Sequence, residues 1–210
     1  IPDSVTSIGV YAFYLCNSLT SVTIPDSVTS IGEYAFRYCD SLVSVTIPNS
    51  VTSLGDGAFR SCDSLKSVTI GNGIKNIGYK AFAYSNNLTS VTIPDGVTSI
   101  GKYAFKSCDL TSVTIPGSVI SIVTGAFSDC RSLTSVEIPN PNAVIADDAF
   151  DSSVTINAAF YSAPLTYLVE GNSVTVTDCE TSASGELVIP SSYNGKPVTK
   201  IGDSAFADCS

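Results

Sequence analysis

Asp147, Asp148 and Asp151 form the densest group of side chains in this chain that could do acid–base chemistry. Two carboxyls at a set separation around a groove would suit glycoside hydrolysis. Three acids on an exposed loop or short helix are more commonly just solvated, and their spacing does not follow a recognised calcium-binding loop. The rest of the composition argues against catalysis. With no His anywhere, the chain cannot build a Ser–His or Cys–His dyad, an imidazole base or a His metal ligand. No glycine-rich phosphate loop is present. The expectation is a protein that is not an enzyme and has no cofactor and no metal site.

The other reactive type is cysteine. Cys16, Cys39, Cys62, Cys108, Cys130 and Cys209 hold one position in a recurring string, and Cys179 stands apart. Each has equivalents on either side and the series is interrupted at Ser85. A disulfide needs Cα atoms about 4.4 to 6.8 Å apart with converging Cβ vectors. Unpaired thiols packed as small hydrophobes are the favoured reading, with disulfides the alternative. Metal binding is disfavoured because no Cys-x-x-Cys occurs.

The string that carries these cysteines is Ile-Pro-Asp-Ser-Val-Thr-Ser-Ile-Gly-x-x-Ala-Phe. Its register points are Ile1, Ile24, Ile47, Ile70, Ile93, Ile115 and Ile138, at steps of 23 residues with one of 22. A fixed period of this length marks a solenoid, in which each coil must stack on its neighbours to bury its apolar side. In the coil from Leu19 to Ser41, Ser21–Ile24 alternates and is β-branched, so it reads as a strand with Val22 and Ile24 inward. Pro25 ends the ladder. Val28 and Ile31 bracket the return and Gly32 turns the corner. Ala35 and Cys39, four apart with Phe36 beside them, predict one or two helical turns on the convex side.

The Pro, Gly, Ala-Phe and Cys positions recurring in register resemble the treponemal class of leucine-rich repeats, the BspA-like family of bacterial surface proteins. The resemblance covers residues 1 to 156 and resumes from Glu186. It implies an α/β leucine-rich repeat solenoid, with a curved parallel β-sheet on the concave side and short helices on the convex side. It also implies an extracellular or cell-surface location and adhesion to a protein or glycan partner.

Departures from the pattern place the boundaries. A leucine-rich repeat array is expected over 1–156, its last repeat truncated after Ala149-Phe150. A non-repeat β-hairpin over 157–188 follows, with Leu165–Val169 and Ser173–Thr177 flanking Glu170-Gly171-Asn172. It reads as the cap of a second array, or as an extension stacked on the first. Residues 189–210 read as the first repeat of that next array, and both chain ends read as cut from something longer.

The formal charge of −9 is uneven, since Glu137 to Glu186 holds eight acids and no Lys or Arg. Nothing resembles the basic stripe of a nucleic-acid binder. No apolar run is long enough for a transmembrane segment. The expected binding surface is the row of outward strand positions: Ser21, Thr23, Ser44, Thr46, Ser67, Thr69, Ser90, Thr92, Ser112, Thr114, Ser135 and Glu137. These should stack about 4.8 Å apart on the concave face, where solenoids bind partners. The competing reading is that Ser and Thr are soluble, β-compatible filler. Arg37, Arg60 and Lys106 share one register on the other side and Tyr11, Tyr34 and Tyr103 another, a possible local contact patch or a solvated face. The function expected is a non-catalytic binding module, the alternative a structural spacer holding another domain away from the cell surface.

Overall fold

A computed structural model describes residues 1–158, 165–170, 173–179, 192–193 and 196–206. They divide into two compact units, Ile1–Asn157 and Ala158–Ser210.

The first unit is a parallel β-solenoid whose coils have three sides. One side is built by the Ser-Val-Thr-Ile segments. Ser44–Ile47, Ser67–Ile70 and Ser90–Thr92 pair in parallel with like residues opposite, Thr46 on Thr69 and Thr69 on Thr92. Isolated bridges carry the row on through Thr114 to Glu137, and Ser135–Ile138 pairs with Thr155–Ala158. The strand alternation is realised directly: hydroxyls are exposed, while Val45, Ile47, Val68 and Ile70 are buried. The Pro then caps the ladder as its own carbonyl closes a turn, Val28 N–H donating to Pro25 O at 3.0 Å and Val51 N–H to Pro48 O at 3.1 Å.

A second parallel ladder runs along the Ser-Ile positions. Ser7–Ile8, Ser30–Ile31 and Ser53–Leu54 form one group. Asn76–Ile77, Ser99–Ile100, Ser121–Ile122 and Val144–Ile145 form another.

The third side corrects the sequence reading: the described residues contain no helix there. Each coil instead makes successive turns across the Ala-Phe segment. Tyr34, Phe36 and Tyr38 donate their N–H groups to the next coil, to Asp56 O, Ala58 O and Arg60 O at 3.0, 2.7 and 3.1 Å. The intervening Ala35, Arg37 and Cys39 donate back within the coil at 3.1 to 3.3 Å. An α-helix would direct its N–H groups to carbonyls four residues earlier in the same coil, never to the neighbouring one. Spending half of them between coils requires two left-handed residues four apart, Tyr34 and Tyr38 at φ 52° and 61°, repeated at Lys80 and Tyr84 and at Tyr103 and Ser107. The four-residue spacing that reads as helical is thus the spacing of left-handed turns.

The interior is a set of files. Phe13, Phe36, Phe59, Phe82, Phe105, Phe127 and Phe150 stack nearly parallel, with centroids 4.8 to 5.6 Å apart. The thiols of Cys16, Cys39, Cys62, Cys108 and Cys130 are free. Four of them do more than fill space. Cys39, Cys62, Cys108 and Cys130 donate to the carbonyls of Phe13, Phe36, Phe82 and Phe105 at 3.1 to 3.3 Å. Ser85, the exception in the series, does the same to Phe59 O at 3.1 Å.

In the second unit, Leu165–Glu170 and Ser173–Cys179 form an antiparallel pair. Ser173–Cys179 pairs in parallel with Lys196–Ile201, which also pairs antiparallel with Ser192–Tyr193. Val174 and Val176 are buried, and Gly202 N–H donates to Val176 O at 2.6 Å. Residues 186–190, where the repeat pattern resumes, and Cys209 lie outside the described residues.

Candidate functional site

All twelve strand positions singled out in the sequence are exposed. They do not form one site. A shallow hollow of about 900 Å³ spans four successive coils and gathers Ser21, Thr23, Ser44, Thr46, Thr69 and Thr92. Ser67, Ser90, Ser112, Thr114, Ser135 and Glu137 stand outside its lining. Ser21 and Thr23 lie beside the ladder rather than in it, since the strand pairing begins with Ser44–Ile47.

The far wall of the hollow is a column that sequence reasoning missed: Asp26, Asn49, Asn72 and Asp95. The signal was available, because the residue two places after each of Ile24, Ile47, Ile70 and Ile93 is Asp or Asn. It reads as turn filler, since Asp and Asn are ordinary turn residues. Stacking turns the filler into a continuous wall, and Asn49 Oδ1 accepts the Asn72 N–H at 2.9 Å. The hollow therefore offers hydroxyls along its floor, amides in the middle of one wall and a carboxylate at either end. Its lining includes no aromatic and no cationic side chain. This is chemistry for hydrogen-bonding a polar ligand.

Asp147 and Asp148 are exposed, and Asp151 uses Oδ1 to accept the Asp129 backbone N–H at 2.9 Å. Among the described residues no group of three or more His, Cys, Asp or Glu is arranged to hold a metal ion, and no helix is long and apolar enough to cross a membrane.

The turn side carries the other concentration of chemistry. All seven tyrosines between residues 1 and 157 stand on it: Tyr11, Tyr14, Tyr34, Tyr38, Tyr79, Tyr84 and Tyr103. Tyr11 stacks on Tyr34 at 5.3 Å. Tyr34 in turn lies over Gly57, where an added Cβ would come within 2.6 Å of the ring. Gly57 is itself left-handed at φ 59°, so that coil leaves room for a ring where its neighbours supply one. Lys106 and Asp129 form an ion pair at 2.6 Å, which raises the lysine and lowers the aspartate from their ordinary values. At the margin, Asp40 is raised by burial and by the neighbouring charge of Asp63.

The sequence profile of the BspA-type leucine-rich repeat region matches residues 1–109, 55–173 and 98–210. Among solved structures, a leucine-rich cell surface protein of Faecalibacterium prausnitzii is 33% identical, over 100% of this chain and 51% of that one, with a TM-score of 0.60. A leucine-rich repeat protein of Eubacterium ventriosum is 27% identical over 82% of this chain and 45% of that one, at a TM-score of 0.66. One from Bacteroides ovatus is 25% identical over 100% and 57%, at 0.57. The chain thus spans about half the length of these relatives. Among curated proteins, none matches it.

Proposed function

Because this chain belongs to the BspA-type leucine-rich repeat family, we propose that it is a non-catalytic, extracellular binding and adhesion module of a bacterial surface or secreted protein. It binds a protein or glycan partner through the strand side. The observation that carries this reading is the hollow of about 900 Å³ across four coils, open to solvent, in which rows of hydroxyls, amides and carboxylates stand beside the apolar groups of Ile24, Ile47, Ile70 and Ile93. The Faecalibacterium relative's description as a cell surface protein supports the location. In the second unit, the hairpin and the parallel strand Lys196–Ile201 are proposed as the opening of a second array, with Ala205 buried and Ser204 left-handed like its counterparts in the first unit.

The test is a panel of immobilised glycans and extracellular matrix proteins, probed with the intact chain and with Thr46→Lys/Thr69→Lys. Binding that the double substitution abolishes supports the reading; no binding to either class rejects it. The uniformity of the hydroxyl row favours the second reading, a spacer. A protein that binds nothing, yet must keep its length for a distal domain to reach its target, would establish that alternative.

A further inference from the structure

The strand side is not the only surface with recognition chemistry. We propose that the turn side, centred on Arg37 and Arg60, is a separate docking face for a protein segment that carries a few carboxylates spaced by apolar side chains.

The argument begins with how the cations are held. The Arg37 guanidinium sits 4.5 Å from the Tyr38 ring centroid, 5.3 Å from Tyr34 and 5.9 Å from Tyr14, and donates from Nη2 to the Tyr38 hydroxyl at 2.9 Å. Arg60 sits 5.1 Å from Tyr84. Lys80 lies 4.7 Å from Tyr79. Such contacts fix a long side chain in one pose and so remove part of the entropy it would lose on binding. Among the described residues, none of Arg37, Arg60 and Lys80 has a carboxylate partner; the ion pair on this side is Lys106 with Asp129. Arginine and tyrosine are the residue types enriched at the energetic centres of protein interfaces, and Arg37 and Arg60 present both together. The strand hollow has neither.

The margins narrow the occupant. Glu33 precedes Tyr34 and Asp40 lies just beyond Tyr38, and in the next coil Asp56 and Asp63 flank the equivalent positions Gly57 and Ser61. Arg60, Tyr38 and Tyr84 share a hollow of about 410 Å³ with Asp40 and Asp63. A uniformly anionic polymer, such as a sulfated polysaccharide, would lay charge against those acids as well as against the arginines. A peptide with isolated acids places carboxylates at the centre and rests apolar groups on the rings.

The experiment pans a random-peptide library displayed on phage against the full chain, then measures fluorescence anisotropy of the enriched peptides. The variants are Arg37→Ser/Arg60→Ser and, with the same change in net charge away from this side, Lys66→Ser/Lys75→Ser. Circular dichroism melts check that both fold. The expected peptides combine Asp or Glu with aliphatic or aromatic neighbours. Their affinity falls about tenfold or more in the arginine variant and is unchanged in the lysine variant. Enriched peptides that lack acids, equal weakening in both variants, or displacement of the peptides by heparin would each overturn the proposal.

Discussion

The thiol file should make the solenoid fail in alkali, and by an amount that the structure sets. Burial pushes the Cys130 thiol from 9.0 up to about 12, with nearby acidic charges adding to the rise. Cys39 is likewise pushed up to about 12, chiefly by burial, and Cys62 and Cys108 are raised for the same first cause. Below pH 9 the thiol is protonated in both folded and unfolded chains, so its full contribution is present. As pH rises from 9 to about 12, the unfolded chain sheds the proton and the folded chain cannot, so stability drains away. At pH 10.5 this amounts to about 2 kcal/mol for Cys130, at about 1.4 kcal/mol per pH unit. Cys39, Cys62 and Cys108 are raised in the same direction and add to the loss over the same pH range. Urea unfolding followed by circular dichroism at pH 8 and pH 10.5 measures it. The control is the chain with Cys39, Cys62, Cys108 and Cys130 changed to Ser, since Ser85 already holds that position with its own bond to Phe59 O. The serine chain should keep most of what the cysteine chain loses, and an equal loss in both would refute the reasoning.

Five further substitutions have defined outcomes. Cys62→Ala removes the donor to Phe36 O and should cost about 1 to 3 kcal/mol in the same urea assay, while Cys62→Ser should cost less than Cys62→Ala. Phe59→Ala opens the middle of the stacked file between Phe36 and Phe82 and should cost about 3 to 5 kcal/mol, measured as a lower urea midpoint. Gly57→Ala places a methyl group at left-handed φ against the Tyr34 ring and should cost about 1 to 2 kcal/mol, whereas Ser61→Gly, at the other left-handed position of that coil, should be neutral or stabilising.

The period made the array legible, because a residue repeated at 23-residue steps must fall in one file whatever the local backbone does. That is why the Phe stack, the strand alternation of Ser44–Ile47 and the unpaired thiols follow from the string. The turn side was misread for a physical reason. Ala35 and Cys39 stand four apart in a helix and also in two linked left-handed turns, and only the neighbouring coil's carbonyls decide between them. Those acceptors lie a whole repeat away in sequence, so local propensity does not see them. The Asp26, Asn49, Asn72 and Asp95 wall was hidden by the same distance, each residue being an ordinary turn former within its own coil.

The two faces differ in a property that bears on what each can recognise. Along the strand side the floor repeats: Thr46, Thr69 and Thr92 are aligned on one another. A ligand displaced by one coil, about 4.8 Å, meets the same hydroxyls again. Such a surface discriminates poorly between registers and suits a ligand that itself repeats, for which every register contributes. Along the turn side the equivalent positions read Tyr11, Tyr34, Gly57, Lys80, Tyr103 and Gly125, and next to them Tyr14, Arg37, Arg60, Ala83, Lys106 and Ser128. Displacement by one coil there sets a carboxylate meant for Arg60 against Ala83, and a side chain meant for the Tyr34 ring against Gly57. Specificity is a difference between the right placement and the wrong ones. The left-handed turns and the Phe file are made in every coil whichever of these side chains is present, so the variation among them is where a one-register partner can be encoded.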